Sequence, residues 1–252
     1  MTESPTRARG GRPAHGEPVV DRALSLLFAF DAAHRRLSLG ELSRRSGIPT
    51  SSALRLANRL QARGALERDD TGLYSIGLRQ VALPYMGDLT EATHQHVLLA
   101  VREGDDAVLV ERLSARNAMP ILYRVGGRLP LHSTGVGHVL LAYADPAFQE
   151  EYLSKPLIRE PEKTRVSAVA LRRTLAETRR DRSITFRRRA PQPLVTVACP
   201  IFGADDDMVA ALSVVVPDQQ VDPRRLTPAL QTAARAISRA LGARRAIGLA
   251  AG

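Results

Sequence analysis

A chain of 252 residues, 44% hydrophobic and 25% charged, can form one large or two modest globular domains. Its formal net charge of +10 favours a polyanionic partner, and all 36 basic residues except Lys155 and Lys163 are arginines, although codon bias in a GC-rich genome would also enrich arginine. The sequence has no apolar run near the ~18 residues of a membrane span, no secretory signal and only one cysteine, Cys199, so it excludes a membrane protein and a disulfide framework and predicts a cytoplasmic protein.

The first stretch of the chain, residues 1–17, is rich in Arg, Gly and Pro and has no periodicity, which predicts a disordered basic arm. The following VVDRALSLL places Val20, Ala23, Leu24 and Leu27 on one side of a helix.

Residues 38–64, SLGELSRRSGIPTSSALRLANRLQARG, predict two short helices separated by a tight break. Ser38 and Glu41 have the spacing of a capping box, which marks the start of the first helix. Gly47 permits a left-handed turn, and Pro49 disfavours helix in the residue before it. Two helices joined by a short turn with glycine form a helix-turn-helix, the motif that places its second helix in the major groove of DNA.

The second of these helices, which Thr50 or Ser51 can cap, is amphipathic. Its polar side carries two arginines and no acidic residue, which favours a DNA-reading helix over an ordinary surface helix. We expect Arg55 and Arg59 to contact guanine edges or phosphate, and the hydroxyl side chains at the helix start to fix the register on the backbone. The candidate DNA-contacting residues are Arg44, Thr50, Ser51, Ser52, Arg55, Asn58, Arg59 and Arg68.

A β-hairpin is predicted directly after this helix, with strands at 66–68 and 73–76 around the turn Asp70-Thr71-Gly72. A hairpin behind a recognition helix is a wing. Because Asp69 and Asp70 would repel phosphate at its tip, Arg68 is the candidate contact on the wing.

The rest of the chain alternates helices with antiparallel hairpins, which indicates an α+β domain. Residues 78–95 are interpreted as a partly helical linker that Pro84 and Gly87 interrupt. The elements predicted beyond it are a hairpin at 96–113, a strand at 118–125, a Gly-rich loop leading into a helix at 126–144, a helix at 167–180, a hairpin at 193–217 and a helix at 226–241.

The sequence resembles the IclR-type transcriptional regulators over residues 18 to 242. The matching segments are VVDRALSLL, LGELSRRSGIPTSSALRLANRLQARGALERD, YSIGLR, GGRLPLHSTGVGHVLLA, VTVACPIF and VAALSVVVP. The resemblance implies a winged helix-turn-helix at 18–79, a short linker at 80–95 and a GAF-like antiparallel effector domain at 96–252. It further implies a dimeric or tetrameric regulator, a repressor rather than an activator, whose binding to double-stranded operator DNA responds to a small organic effector. No enzymatic activity, cofactor or metal is expected.

The resemblance also implies an effector pocket walled by the loop that opens the PLHSTGVG helix and by the two late strands. Carried over by position, the effector-binding residues are His132, Thr134, Gly135, Val136, Phe186, Cys199 and Ser213. The N–H groups of a helix N-terminus attract a carboxylate, so we expect a carboxylate or an aromatic acid as the effector.

Two alternatives stay open. The 18 residues at 78–95 are fewer than relatives usually have, RSITFRRR replaces a Gly-Tyr pair and acidic residues, and Val215 stands where a polar residue is common. A regulator with a degenerate pocket that ignores ligands is therefore one alternative. An enzyme with an accessory DNA-binding module is the other, but it requires a nucleophile with a base or a metal cluster, and neither is evident in the sequence.

Overall fold

The fold was analysed in a computed structural model, which describes residues 18–31, 33–159, 163–189, 192–218 and 222–244. The predicted basic arm at 1–17 lies outside these residues. Internal contacts divide the chain into two compact units, with the division between Ile76 and Gly77. The predicted linker region from 80 onward therefore falls in the second unit.

The first unit contains three helices followed by a two-stranded hairpin, in the order of a winged helix-turn-helix. Its elements are α1 Val19–Phe28, α2 Leu39–Ser46, α3 Thr50–Gln61, β1 Leu66–Arg68 and β2 Tyr74–Ile76. One apolar cluster holds them together, and its fully buried members include Leu26, Leu42 and Tyr74. The predicted capping box is confirmed, because Ser38 Oγ accepts from the backbone N–H of Glu41 while a Glu41 carboxylate oxygen accepts from the Ser38 N–H.

The turn between α2 and α3 is only partly as predicted. Gly47 adopts the left-handed conformation with φ 70°, as expected. The prediction that Thr50 or Ser51 caps α3 is wrong: Pro49 is the N-cap, and its carbonyl accepts from Ser52 and Ala53. The Thr50 hydroxyl instead donates to Ser43 Oγ at 3.1 Å. Thr50 is thus the first residue of the helix and ties its start to α2.

The second unit is built on a six-stranded antiparallel sheet with the order β5-β4-β3-β10-β9-β8. Both predicted hairpins and the helices near 167–180 and 226–241 are confirmed. The elements are α4 Leu78–Thr93, β3 His96–Glu103, β4 Asp106–Ser114, β5 Arg128–Pro130, α5 Gly135–Ala142, α6 Pro146–Ser154, β6 Ile158–Arg159, β7 Thr164–Arg165, α7 Ala168–Asp181, β8 Ile184–Arg188, β9 Leu194–Phe202, β10 Met208–Pro217 and α8 Pro223–Leu241.

Helices cover both sides of this sheet, so its central strands are buried along nearly their whole length and are mostly apolar rather than alternating with exposed polar residues. On one side, Ala198 and Val215 belong to a cluster with α5, α6 and α7. On the other side, Cys199 and Val214 belong to a cluster with α4 and α8. Neighbouring residues of one strand therefore belong to different cores.

The predicted strand at 118–125 is wrong, because this segment forms a loop that precedes the short strand β5. Pro120 lacks a backbone donor for a ladder. The loop carbonyls are held by side chains instead: His96 Nε2 bonds the Met119 carbonyl and an Arg112 guanidinium nitrogen donates to the Tyr123 carbonyl.

The predicted interruption of the segment after the wing is also wrong, because α4 continues through Pro84 and Gly87. Pro84 is exposed, so its missing hydrogen bond faces solvent. The opposite side of α4, including Met86 and Leu89, is buried against the apolar cluster of α8. This packing outweighs the unfavourable helix propensity of the proline.

Candidate DNA-binding and effector-binding sites

The outward side of α3 is a polar surface with no acidic residue. Ser51, Arg55, Asn58 and Arg59 are exposed, whereas Ala53 and its apolar neighbours on the opposite side are buried. Within the described part of the chain, no ion pair engages Arg55 or Arg59. Both guanidinium groups are therefore available to an external anion or base edge.

Three of the other predicted contacts surround this helix. Arg44 is exposed in the last turn of α2, Thr50 is exposed at the start of α3, and Ser52 is half-buried beside it. Together with the outward side of α3 they make up the candidate DNA-contacting residues of the helix-turn-helix.

Arg68 lies on the wing and also supports it. Its guanidinium carbon is 5.3 Å from the centroid of the Tyr74 ring, and its Nε donates to the Gly72 carbonyl at 3.3 Å. The side chain remains exposed. These two contacts hold the Arg68 guanidinium against the hairpin, and that is the position from which it would contact phosphate.

The carboxylate of Asp69 is used inside the wing. One of its oxygens accepts from the Thr71 hydroxyl at 2.6 Å, the Leu73 N–H at 2.9 Å and the Thr71 N–H at 3.0 Å. The Thr71 hydroxyl and the Leu73 N–H lower the pKa of Asp69. This acidic residue thus holds the turn of the wing together.

The candidate effector site begins at the N-terminus of α5. Thr134 is the N-cap: its Oγ1 accepts from the Gly137 N–H and donates to the Pro130 carbonyl, both at 3.1 Å. Gly135 lies directly on the sheet, because a Cβ at this position would be 2.8 Å from Thr196 Cγ2. Val136 is buried beside it.

The sheet below this helix start presents a face defined by Phe186, Thr196, Ser213 and Val215, which we term the effector face. Phe186 pairs with Thr196, and Thr196 with Val215, across neighbouring strands. Ser213 lies two residues before Val215 on the same side. Its side chain is 0% exposed, and its hydroxyl has no hydrogen-bond partner within the described residues.

The structure does not bring Cys199 to this group. It lies next to Ala198 on β9, so its side chain points to the opposite side of the sheet, into the cluster of α4 and α8. Burial raises the pKa of the Cys199 thiol to about 12. The residue is a small apolar core side chain at this position.

His132 and Phe186, two further predicted effector residues, have partners in the protein. His132 Nδ1 is 2.8 Å from the Tyr152 hydroxyl, and Nε2 is 2.9 Å from the Ile158 carbonyl, so both ring nitrogens are engaged. The centroid of the Phe186 ring lies 5.1 Å from the centroid of the His138 ring. His132 therefore supports the loop, whereas Phe186 forms part of the effector face.

Two residues near this site were not among the predicted ones. Thr196 contacts Gly135, and Arg188 extends from β8 to stand over the ring of Tyr123 at 5.1 Å. Side chains alternate along β9, so Thr196 and Cys199 must face opposite sides of the sheet. Which of the two faces α5 with Ser213 follows from the pairing of β9 with β10.

Among the described residues, no cluster of His, Cys, Asp and Glu has an arrangement that could hold a metal ion. None of the helices in the same part of the chain is long and apolar enough to cross a membrane.

Family models match nearly the whole described chain. The model of the IclR helix-turn-helix domain matches residues 19–70, and that of the bacterial transcriptional regulator IclR C-terminal domain matches residues 71–239. The chain belongs to the IclR family. It is accordingly a DNA-binding transcriptional regulator, and the resemblance and the α+β fold predicted from its sequence are confirmed.

Similar IclR-family proteins cover almost the full chain. The HTH-type transcriptional regulator XynR of Escherichia coli is 28% identical over 243 residues, spanning 88% of this chain and 96% of XynR. The HTH-type transcriptional repressor AllR of E. coli is 26% identical over 264 residues, spanning 93% and 96%. A crystal structure of an IclR homolog from Microbacterium hydrocarbonoxydans, complexed with 4-hydroxybenzoate, is 33% identical with a TM-score of 0.61 and covers 88% of this chain and 98% of that one.

Proposed function

We propose that this IclR-family protein is a repressor that binds operator DNA through the outward side of α3 and changes its operator affinity when a small carboxylate occupies the effector face. The observation that carries the DNA-binding assignment is the α3 surface, where Arg55 and Arg59 are exposed without a carboxylate partner in the described chain. AllR, a named repressor, supports the sign of regulation.

The residues of the DNA surface take different roles. Arg55 and Arg59, on the outward side of α3, read guanine edges or hold phosphate, because a guanidinium can form two parallel hydrogen bonds with either. Ser51, one turn before Arg55, and Asn58, next to Arg59, complete the groove contact. Arg44, Thr50, Ser52 and Arg68 position the protein on the phosphate backbone.

The effector class follows from the chemistry of the α5 terminus and from a relative. The N–H groups at the start of α5 and the unpaired Ser213 hydroxyl offer donors above a largely apolar floor. The homolog from Microbacterium hydrocarbonoxydans binds 4-hydroxybenzoate, which supports an aromatic acid as the effector here. Thr134, Gly135, Val136, Phe186, Thr196 and Ser213 are the proposed pocket residues.

The unpaired hydroxyl of Ser213 favours a working pocket over a degenerate one, because a buried hydroxyl without a partner is unfavourable until a ligand satisfies it. We infer no catalytic role for Cys199, since its thiol is buried and protonated and cannot serve as a nucleophile. The regulator acts where bacterial DNA is, in the cytoplasm.

Self-association is proposed through α1. Val20, Leu24 and Phe28 recur at every fourth position and are exposed, which places three large apolar side chains on one side of this helix. An exposed apolar stripe of this kind marks a protein interface. A dimer would present two copies of α3 to the two halves of a near-palindromic operator.

The experiment is fluorescence anisotropy with DNA from the region upstream of the protein's own gene, against a scrambled duplex of equal length. Arg55→Ala is expected to weaken operator binding about 10-fold to 100-fold, corresponding to the loss of one bidentate base contact. Arg173→Ala is the control: it also removes one positive charge, from a side chain that is 84% exposed on α7, where it forms a surface ion pair with Glu177.

The control variant is expected to bind the operator like the wild type, and both variants should keep the wild-type circular dichroism because neither side chain is buried. An Arg55→Ala protein with unchanged operator affinity and unchanged preference over the scrambled duplex would show that α3 does not read the groove.

A further inference from the structure

The effector side of the sheet contains a guanidinium without a counter-charge. Arg188 lies on the edge strand β8, and its Nε and Nη2 atoms are buried with no hydrogen-bond partner in the described chain. No ion pair to Arg188 occurs among the same residues. Arg188 as a whole is half-buried, so two of its three guanidinium nitrogens lie out of contact with solvent while the positive charge has no carboxylate partner in the described chain.

The neighbouring arginine shows that this arrangement is specific to one position. Arg187 is exposed and forms an ion pair with Asp218. Successive side chains of a strand point to opposite sides, so Arg187 and Arg188 diverge from adjacent positions. Arg188 shares its side of β8 with Phe186, which belongs to the effector face.

Strand register connects Arg188 to the rest of the effector face. Arg188 pairs with Leu194, one same-side position beyond the Phe186–Thr196 pair. Tyr123 lies under its guanidinium, and the ring keeps the group over the sheet. The Tyr123 carbonyl in turn accepts from Arg112.

Arg112 and Ser213 lie in one row across three neighbouring strands. Arg112 on β4 pairs with Leu98 on β3, and Leu98 pairs with Ser213 on β10. Tyr123 thus contacts Arg188 through its ring and, through its carbonyl, Arg112, which lies in the same cross-strand row as Ser213. Two unsatisfied polar groups, a cation and a hydroxyl, border the stretch of the effector face formed by Thr196 and Val215.

We propose that Arg188 is the anion anchor of the effector site and that the effector is an aromatic monocarboxylate with a second hydrogen-bonding group directed toward Ser213. This inference rests on the proposed function. Nε and Nη2 are the two N–H groups on one edge of a guanidinium, which is the geometry that holds both oxygens of a carboxylate. Phe186 and Val215 provide apolar contacts for a ring.

The test uses calorimetric titration of the full-length protein at constant ionic strength with two probes of nearly equal shape, 4-hydroxybenzoate and its neutral analogue 4-hydroxybenzamide. The wild type is expected to bind the acid at least 10-fold more tightly than the amide. Arg188→Met is expected to lose at least 30-fold in affinity for the acid and to bind the amide within about 3-fold of the wild type.

Two further variants separate charge, geometry and folding. Arg188→Lys keeps the charge but cannot form the two-pronged contact, so it is expected to recover only part of the acid preference. Arg187→Met removes an arginine from the adjacent position and is expected to titrate like the wild type. Arg188→Met should melt at or above the wild-type temperature, since it replaces a half-buried, unpaired charge with an apolar side chain.

The inference is overturned if Arg188→Met binds the acid like the wild type, or if the wild type binds neither probe or does not prefer the acid. A neutral probe that changes operator affinity, with Arg188→Met unaffected, would overturn the role of Arg188 and leave the proposed regulator intact. Failure of the proposed DNA-binding function is recognised separately, by the Arg55→Ala measurement.

Discussion

At the scale of single residues, the buried polar groups of the second unit fall into two sets, those with hydrogen-bond partners in the protein and those without. His132 has partners at both ring nitrogens, and Thr134 both donates and accepts, so these side chains hold the loop before α5. The Ser213 hydroxyl, two nitrogens of Arg188 and the Gln192 Oε1 atom have no such partner in the described chain. Because buried polar groups are rarely left unsatisfied, we propose that Ser213 and Arg188, which lie on or beside the effector face, bind the ligand.

The assignment of Cys199 to the core of α4 and α8, rather than to the effector face, can be tested through its thiol. With a pKa of about 12, only about one molecule in 10⁴ carries the thiolate at pH 8, and the side chain is enclosed by the core of α4 and α8. We expect a thiol reagent such as DTNB to label the native protein at least ~100-fold more slowly than the urea-unfolded protein.

The same burial has a pH consequence. Since the folded pKa lies above the ordinary value of 9.0, the contribution of Cys199 to stability is complete below about pH 9 and is lost as the pH rises toward 12. Cys199→Ala should therefore flatten this alkaline decline in unfolding midpoints. Complete labelling of the native thiol within seconds, or its selective protection by an aromatic acid, would place Cys199 in the pocket instead.

At the scale of elements, local signals in the sequence were sufficient wherever short-range chemistry decides the structure. The capping box at Ser38, the left-handed Gly47 and the hairpin strands around residues 203–207 were all predicted because turns and caps depend on adjacent residues. The loop at 118–125 and the continuous helix α4 were not, since distant side chains and packing on α8 decide them.

The two candidate sites also differ in how far they can be predicted, because one depends on neighbouring residues and the other on the pairing of distant strands. The outward side of α3 follows from helical periodicity alone. The effector face depends on which strand parity points to α5, which is a property of pairing between β8, β9 and β10. The predicted effector residues therefore included Cys199, which faces the opposite core, and did not include Thr196 or Arg188, whose side of the sheet only the strand pairing shows.

The apolar stripe of α1 gives a prediction for this element. Phe28 is 78% exposed, so Phe28→Glu should leave the fold of the first unit unchanged while placing a charge in the proposed interface. In sedimentation velocity we expect the wild type to be a dimer or larger and the variant to shift toward monomer, with a matching loss of operator affinity.

The control for that change is Val169→Glu on α7. Val169 is also apolar and is 76% exposed, but it does not belong to the apolar stripe of α1. The control variant should sediment like the wild type. Equal association of Phe28→Glu and the wild type would assign self-association to a different surface.

At the scale of the whole molecule, regulation requires that the site in the second unit influences the site in the first. A ligand can shift operator affinity only if it binds the DNA-competent and DNA-incompetent states with different affinity. The resulting coupling is reciprocal, so the operator must change effector affinity by the same factor. The net charge of +10 adds sequence-independent attraction to DNA, so operator preference has to be measured at a fixed salt concentration.

The most direct test of a ligand-responsive repressor is the titration of 4-hydroxybenzoate into the wild-type complex with its upstream DNA, followed by fluorescence anisotropy at constant ionic strength. Without ligand, the protein is expected to prefer this DNA over the scrambled duplex by ~10³ or more. Saturating ligand is expected to weaken operator binding by about 5-fold to 150-fold, the usual range of allosteric coupling. An operator affinity that no aromatic acid changes, or equal and steeply salt-sensitive binding to both duplexes, would contradict the account.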